Sequence, residues 1–375
     1  MKTKGALLWE FNQPWSVEEI DIGDPRKDEV KIQMEAAGMC HSDHHLVTGG
    51  IPMGGFPVLG GHEGAGIVTE VGPGVEDLAP GDHVVLSFIP SCGKCQSCQA
   101  GLRNLCDLGA LLLNGASVTD GSFRIHAKGQ DVYPMTLLGT FSPWMVVHRS
   151  SVVKIDESVP FEVACLVGCG VTTGYGSATR TADVRPGEDV AIVGVGGVGM
   201  SALQGAVNAG ARYIFVVDPV EWKRDQALKF GATHVFPDIN TALAGITEAT
   251  FGLMAKKVII TVGEVKGEDI ENYMIMTAKG GTCVLTAIGS MLDNQVTLNL
   301  AMLTLMQKNL QGTIFGGGNP QYDIPQLLSV YKAGKLNLDD MVTRQYTLEQ
   351  INDGYHDMLD GKNIRGIIRY TDSDR

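Results

Sequence analysis

Residues 189–200 read DVAIVGVGGVGM, and this stretch determines how the second half of the chain can fold. Residues 189–193 are mostly apolar and β-branched, which predicts a buried strand, and residues 198–209 have the spacing of a helix. The next apolar run, residues 213–217, predicts a second strand. Repeated units of strand, glycine turn and helix predict an α/β fold with a parallel sheet.

The glycines of this stretch follow the pattern Gly-x-Gly-x-x-Gly. A glycine-rich turn between a strand and a helix offers free N–H groups to a pyrophosphate and lets the backbone approach it closely. We therefore predict that the dinucleotide-binding residues of this loop are Gly194, Gly196, Gly197, Val198 and Gly199. Asp218 ends the next strand, where its carboxylate would bind ribose hydroxyls and repel a 2′-phosphate, which favours NAD over NADP. The alternative is a glycine-rich turn of an unrelated α/β domain.

The 375 residues exceed what one hydrophobic core usually serves, so two domains are expected. Before residue 170 the chain shows short strands between Gly and Pro turns, for example residues 29–34, 66–71 and 83–87. The tail, residues 322–369, shows two amphipathic helical stretches, and a final strand is predicted at 366–370. We expect a mainly β domain from residues 1–170 and 315–375 and an α/β domain from residues 171–314.

The formal net charge is −13, and the sequence contains no cluster of Lys and Arg. Binding to a phosphate backbone depends on such clusters, so the charge argues against a nucleic-acid partner. No apolar run approaches the roughly 20 residues that span a bilayer, and the first residues contain no signal-peptide core. We expect a cytoplasmic protein with no membrane partner.

Four of the eight cysteines lie close together, in the pattern Cys92-x2-Cys95-x2-Cys98-x7-Cys106. Four thiolates in one short loop complete a tetrahedral zinc shell and leave no position for a substrate. The spacing therefore predicts a structural zinc site in a lobe at about residues 90–108. The alternative, two disulfides or free thiols, is disfavoured by the spacing and by a reducing compartment.

Three further candidate ligands lie far apart in the sequence: Cys40 in GMCHSD, His62 in GGHEG and Cys169 in VGCG. Taken singly, a cysteine beside glycine is usually a small packed residue, and a lone histidine is usually a hydrogen-bonded structural residue. Together with the four-cysteine motif and the glycine loop, these segments make the chain resemble the zinc-containing medium-chain alcohol dehydrogenases over essentially its whole length.

The resemblance implies a GroES-like catalytic domain interrupted by a Rossmann domain with a doubly wound parallel sheet. It carries over Cys40, His62 and Cys169 as ligands of a catalytic zinc with one open position, which makes two Zn²⁺ per chain. Glu63 matches a family glutamate near the metal. Asp43 matches a family carboxylate that orients the ligand histidine through its second ring nitrogen.

The resemblance also implies the chemistry, hydride transfer between a primary alcohol or its aldehyde and NAD. Zinc would lower the pKa of the alcohol hydroxyl from about 16 toward roughly 7. Ser42 matches the hydroxyl that bonds the alcohol oxygen and passes its proton along the cofactor ribose to a surface histidine, here His45. Phe88 and Ile288 match positions that wall the substrate cleft, although both can also be ordinary core residues.

Several positions depart from the family pattern. Many relatives place an arginine after the first zinc ligand to hold the pyrophosphate, whereas this chain has His41. Glu264 occupies a region where liver-type relatives use an arginine against the adenosine half. His41 stays a candidate for cofactor binding, together with Thr173 and, by their match to family positions, Lys223 and Arg365.

Three segments narrow the resemblance further: NQPW at 12–15, GAGIV at 64–68 and IFGGGNP at 314–320. They resemble the actinobacterial nicotinoprotein, or nitrosodimethylaniline-dependent, alcohol dehydrogenases. That resemblance implies NAD that stays bound through turnover and is reoxidised in place by an external redox acceptor.

Two alternatives stay open. Glutathione-dependent formaldehyde dehydrogenases carry an arginine where this chain has Ala110, which disfavours that activity. A non-catalytic zinc- and NAD-binding protein of the same fold is disfavoured by the intact set of Cys40, His62, Cys169 and Ser42. The resemblance also suggests a homo-oligomer paired through edge strands of the Rossmann domain, with residues 283–287 and 311–315 as candidates.

Overall fold

The structure, a computed structural model, describes residues 1–290 and 294–374. The chain divides into two compact units, one formed by Met1–Cys169 with Asn319–Arg375 and the other by Gly170–Gly318. The sequence places the corresponding junctions after residues 170 and 314. Among the described residues, no helix combines the length and apolar character that crossing a membrane would require.

The strands are short in both units, and they are listed here in chain order: β1 (Lys2–Leu8), β2 (Ser16–Ile22), β3 (Glu29–Gly38), β4 (Val58–Leu59), β5 (Glu63–Val71), β6 (His83–Leu86), β7 (Ile125–Ala127), β8 (Gln130–Asp131), β9 (Tyr133–Pro134), β10 (Trp144–His148), β11 (Val152–Lys154), β12 (Val190–Val193), β13 (Ile214–Val217), β14 (His234–Phe236), β15 (Ala255–Ile260), β16 (Thr277–Leu285), β17 (Asn309–Gly312), β18 (Val342–Tyr346) and β19 (Arg365–Arg369).

The α-helices follow the same order: α1 (His41–Val47), α2 (Gln96–Gln99), α3 (Phe161–Ala164), α4 (Gly170–Gly176), α5 (Gly197–Asn208), α6 (Glu221–Lys229), α7 (Ile239–Ala249), α8 (Ile270–Met276), α9 (Leu300–Leu305), α10 (Pro320–Lys332) and α11 (Ile351–Leu359). The two helical stretches predicted in the tail are α10 and α11, and the predicted final strand is β19.

The first unit contains two sheets. One has the strand order β8-β7-β2-β1-β4-β9, and the other has the order β11-β6-β5-β3-β19-β18, with β10 also paired to β3. The predicted strands at 29–34 and 66–71 lie within β3 and β5, and the one at 83–87 coincides with β6 except that β6 ends one residue earlier, at Leu86. β5 begins earlier than predicted because its glycines fit close against β3: a Cβ on Gly66 would collide with the Gln33 carbonyl. The antiparallel pairing sets Gly38, the end of β3, opposite Glu63, the start of β5.

The second unit is built on one six-stranded sheet in the order β14-β13-β12-β15-β16-β17. All of its pairings are parallel, which confirms the predicted α/β fold. Counted along the sheet from β12, the order is that of a doubly wound dinucleotide-binding fold, with the ligand crevice expected at the carboxyl ends of the central strands. β12 and β13 are entirely buried, which explains why both read as continuous apolar runs.

One predicted edge strand is wrong. Residues 283–287 were expected at an edge of this sheet, but β16 lies between β15 and β17 and pairs with both. The outer position belongs to β17, because residues 309–312 add one more parallel strand beyond β16. Pairing of two chains through this sheet stays a prediction.

A buried ion pair between Arg124 and Glu29 fixes the start of β3 in the first unit. The Arg124 Nε and Nη2 atoms each donate to a Glu29 carboxylate oxygen at 2.8 Å, and the two side chains are 6% and 2% exposed. The backbone N–H of Arg26 donates to the same carboxylate at 2.8 Å. A charge this deeply buried is tolerated only because its partner is present.

We expect Arg124→Ala to lower the free energy of unfolding by about 3–5 kcal/mol, because the variant leaves the Glu29 carboxylate buried without its counter-charge. Arg344→Ala is the control, since Arg344 is half exposed and pairs with Asp357 at 2.9 Å on the surface. That variant should cost about 0–1 kcal/mol. Urea denaturation followed by circular dichroism measures both, and equal losses would contradict the prediction.

Candidate active site

Four potential metal ligands meet inside the first unit: Cys40, His62, Glu63 and Cys169. One ligand atom from each lies within 4.8 Å of the others, and all four residues are buried. Cys40 follows β3 and His62 precedes β5, so the pairing of these two strands brings them together. Cys169 follows the short helical turn Cys165–Gly168. The meeting of Cys40, His62 and Cys169, which was predicted from three distant segments, therefore depends on the pairing of β3 with β5 and on the turn before Cys169.

Asp43 orients the histidine of the cluster. The Asp43 Oδ1 atom lies 3.1 Å from His62 Nδ1 and accepts a hydrogen bond from the Gly61 backbone at 3.2 Å. Its other oxygen accepts from the Cys40 backbone N–H at 3.2 Å. His62 Nε2 is buried and has no hydrogen-bond partner among the described residues. A buried nitrogen with a free lone pair, its ring fixed through the second nitrogen, fits a metal ligand.

The electrostatics of the cluster favour a cation. A hydrogen bond from Cys169 lowers the pKa of Cys40 well below its usual value, and the same hydrogen bond raises the pKa of Cys169 well above it. Burial opposes protonation of His62, but the charges of Asp43 and Cys40 outweigh it and raise the pKa of His62. Zn²⁺ suits this donor set, because a coordinated thiol is deprotonated outright and two thiolates with one imidazole form a known catalytic shell.

Glu63, the carboxylate of the cluster, forms a buried ion pair with Arg365. Burial raises the pKa of Glu63 to about 7, although the charge of Arg365 opposes the shift. The cofactor role of Arg365 stays a prediction, while its contact with Glu63 was not predicted. A signal was available: an arginine that opens the apolar strand β19 must find a buried partner.

The remaining predicted residues of the first unit lie around this cluster. Ser42 Oγ is 3.8 Å from Cys40 Sγ, and the Phe88 ring lies edge-on to His62 with centroids 5.8 Å apart. His45 is only 9% exposed, so its expected surface position is wrong: α1 turns it inward, toward the ring of His41 at 5.1 Å. Its role as a proton relay stays a prediction.

The four-cysteine motif forms a second cluster, with the sulfur atoms of Cys92, Cys95, Cys98 and Cys106 within 4.8 Å of one another. None of these four cysteines is in a disulfide, which contradicts the disulfide half of the alternative and leaves free thiols as its other half. Cys95 caps the N-terminus of α2, and its sulfur accepts the backbone N–H of Cys98 at 3.4 Å. Burial raises the pKa of Cys106 to about 12, so four thiolates require a bound cation here, as in a closed structural zinc site.

In the second unit, the glycine loop has the predicted strand–turn–helix context. Gly194 has φ +86°, and a Cβ on Gly199 would collide with the Gly194 carbonyl. Around Gly196 a Cβ would meet no atom within 4 Å. The fold therefore requires glycine at 194 and 199 but not at 196. The close approach of a pyrophosphate would explain the glycine at 196.

Asp218 is buried beside this loop. One carboxylate oxygen accepts the Val195 N–H and the other accepts the Val220 N–H, both at 2.9 Å. Burial lowers the pKa of Lys223 on α6, against the charge of Asp218 nearby. The Thr173 hydroxyl is buried without a hydrogen-bond partner in the described part of the chain. The Ile288 side chain is 46% exposed, and its role in the wall of the substrate cleft stays a prediction.

Comparisons with known proteins agree with this geometry. A family model described as "Alcohol dehydrogenase GroES-like domain" matches residues 26–157, and one described as "Zinc-binding dehydrogenase" matches residues 197–333. The chain is 84% identical over 375 residues to alcohol dehydrogenase B of Mycobacterium tuberculosis, covering all of both chains. It is 47% identical to the NDMA-dependent alcohol dehydrogenase of Amycolatopsis methanolica, covering 99% of this chain and all of that one.

The crystal structure of benzyl alcohol dehydrogenase from Acinetobacter calcoaceticus superposes with a TM-score of 0.91 at 29% identity, covering 99% of this chain and 100% of that one. The fold and its two donor sets thus define a zinc-binding dehydrogenase. The chain belongs to the zinc-containing medium-chain alcohol dehydrogenases, which confirms the predicted fold class and family.

We expect Cys169→Ala to remove one zinc ion per chain and to abolish alcohol turnover, because two protein ligands hold zinc far more weakly than three. Cys165→Ala is the control: this thiol is also fully buried, four positions earlier, but lies outside the cluster. Metal analysis and steady-state kinetics measure both variants. Unchanged zinc content in Cys169→Ala would contradict the assignment.

A second matched pair tests the glycine loop. Gly196→Ala should fold normally but bind NAD at least about tenfold more weakly, since the added methyl meets the ligand and not the protein. Gly199→Ala should lower the melting temperature, because its methyl meets the Gly194 carbonyl. Thermal unfolding and NAD titration separate the two, and normal NAD affinity in a folded Gly196→Ala would refute the pyrophosphate assignment.

Proposed function

We propose that this enzyme oxidises primary alcohols to aldehydes, or reduces the aldehydes, by hydride transfer to or from NAD. The observation that carries the proposal is the buried set of Cys40, His62 and Cys169, with His62 Nε2 aimed at no protein partner among the described residues. The identities with alcohol dehydrogenases support the substrate class.

Zinc held by Cys40, His62 and Cys169 would supply Lewis acidity, which lowers the pKa of the alcohol hydroxyl. The other steps belong to the chain's own residues. Asp43 holds the His62 ring in place, and Ser42 relays the hydroxyl proton, giving up its own hydroxyl hydrogen toward His45 as it accepts that of the alcohol. Phe88, whose ring packs against His62, limits the substrate side to apolar groups.

Asp218 supports NAD as the cofactor. A carboxylate that already accepts two loop N–H groups keeps lone pairs for ribose hydroxyls, but it would repel a 2′-phosphate. Lys223 lies near enough to Asp218 for the carboxylate charge to affect its pKa, and it would contact the adenosine half of the same NAD molecule.

The finer proposal is that NAD stays bound through turnover and is reoxidised in place by an external acceptor. Its support is the 47% identity to an enzyme named for its dependence on NDMA, together with the resemblance carried by the three segments noted above. Glutathione-dependent formaldehyde oxidation has less support, because the position of the family arginine is taken by the exposed Ala110.

The test uses protein purified without added nicotinamide. We expect two zinc ions and one nicotinamide per chain, and alcohol-driven reduction of a nitroso dye with no free NAD. Turnover that appears only with added NAD would refute the resident cofactor but leave the dehydrogenase intact. Formaldehyde oxidation that requires glutathione would favour the alternative activity, and zinc-loaded protein without turnover on any alcohol would refute the proposal as a whole.

A further inference from the structure

A cavity of the first unit lies beside the four-cysteine cluster, and none of the catalytic ligands lines it. Its volume is about 540 Å³, within the usual range for a small-molecule site. Its walls come from the turn before β3, from the cysteine lobe, from residues 118–119 and from the end of β10. Apolar atoms of Leu108 and Val118 form part of the lining.

The cavity collects positive charge in a chain whose net charge is −13. Lys27, Lys94 and Arg103 line it, and none of the three side chains has an ion pair or hydrogen bond among the described residues. By contrast, Arg149 on the same wall is already neutralised: it donates to both oxygens of Asp77, at 2.7 and 2.5 Å. Three uncompensated cations therefore face one space that holds a single uncommitted carboxylate, that of Asp28.

Ser91 supplies an independent observation. The residue is 6% exposed, and its Oγ is buried without a hydrogen-bond partner in the described part of the chain. The Ser91 backbone N–H donates to the Ser150 carbonyl at 2.8 Å. This bond fixes the backbone of the segment but gives the side-chain hydroxyl no partner. A buried hydroxyl without a partner is destabilising unless a ligand supplies the missing hydrogen bond.

From these contacts we infer that the cavity is a binding site for a phosphate group, either free or on a small phosphorylated metabolite. Three cations match the charge of a phosphate dianion better than that of a single carboxylate, and the planar guanidinium of Arg103 can bind two phosphate oxygens at once. The Ser91 hydroxyl is covered in this structure, and a local shift of the cavity wall that exposes it would let it donate to a third oxygen. The volume beyond the phosphate leaves room for a small organic group against Leu108 and Val118.

The test titrates zinc-loaded protein with inorganic phosphate by calorimetry at low ionic strength. NAD is kept at saturation, so that the glycine loop is not available for phosphate. We expect one saturable site per chain and at least about tenfold weaker binding in Arg103→Ala, since charge-assisted bidentate contacts are the strong ones. Ser91→Ala should weaken binding by a smaller factor without lowering the melting temperature of the free protein.

A matched double variant separates a site from general charge attraction. Lys94→Ala/Arg103→Ala and Lys229→Ala/Lys279→Ala each remove two positive charges, but Lys229 and Lys279 are exposed and lie outside the cavity. Only the first pair should lose phosphate binding, with its zinc content unchanged. Absence of a saturable site, normal binding in Arg103→Ala, or equal losses in the two double variants would each overturn the inference. Tighter binding of glycerol 3-phosphate than of inorganic phosphate would assign the site to a phosphorylated metabolite, and the reverse order would assign it to free phosphate.

Discussion

The rest of the first unit depends on one electrostatic constraint: two thiols, an imidazole and a carboxylate are buried together. Each anionic form is penalised by burial, so the group is stable only with compensating positive charge. Arg365 compensates Glu63 from β19, and a dication suits Cys40, Cys169 and His62. The sheet that contains β3, β5 and β19 makes this arrangement possible. The three strands are neighbours in it, and each brings one part of the cluster to the same end.

The two metal clusters show why one could be predicted from spacing and the other could not. Cys92 to Cys106 lie within one loop, so local chain geometry alone limits how far apart the sulfurs can be. Cys40, His62 and Cys169 meet only because β3 pairs with β5 and a later turn packs beneath them. No local pattern encodes such a meeting, and only the family resemblance joined the three segments. The two clusters also differ in the chemistry that they allow. Four sulfur ligands fill a tetrahedral zinc shell and leave no position for a substrate.

The apolar strands, the glycine turn and the helix after it were predictable, because each rests on local periodicity and backbone freedom. The errors arose where burial is decided by the fold. His45 reads as an ordinary polar helix residue, yet α1 turns it inward, and residues 283–287 became an inner strand because β17 pairs outside them. The pairing of Arg365 with the buried Glu63 carboxylate was not predicted either, while its cofactor role stays a prediction. Each outcome depends on residues far away in the sequence.

Asp218 connects cofactor selection to the shape of the glycine loop. Its two oxygens accept N–H groups from two segments, from Val195 in the loop and from Val220 just before α6. The loop is therefore held in shape by the same carboxylate that we propose binds the ribose. A site ordered in advance loses less entropy when the ligand binds, so this arrangement favours high affinity without any additional contact. The open space at Gly196 adds to the effect, because backbone N–H groups can approach a pyrophosphate there without displacing a side chain.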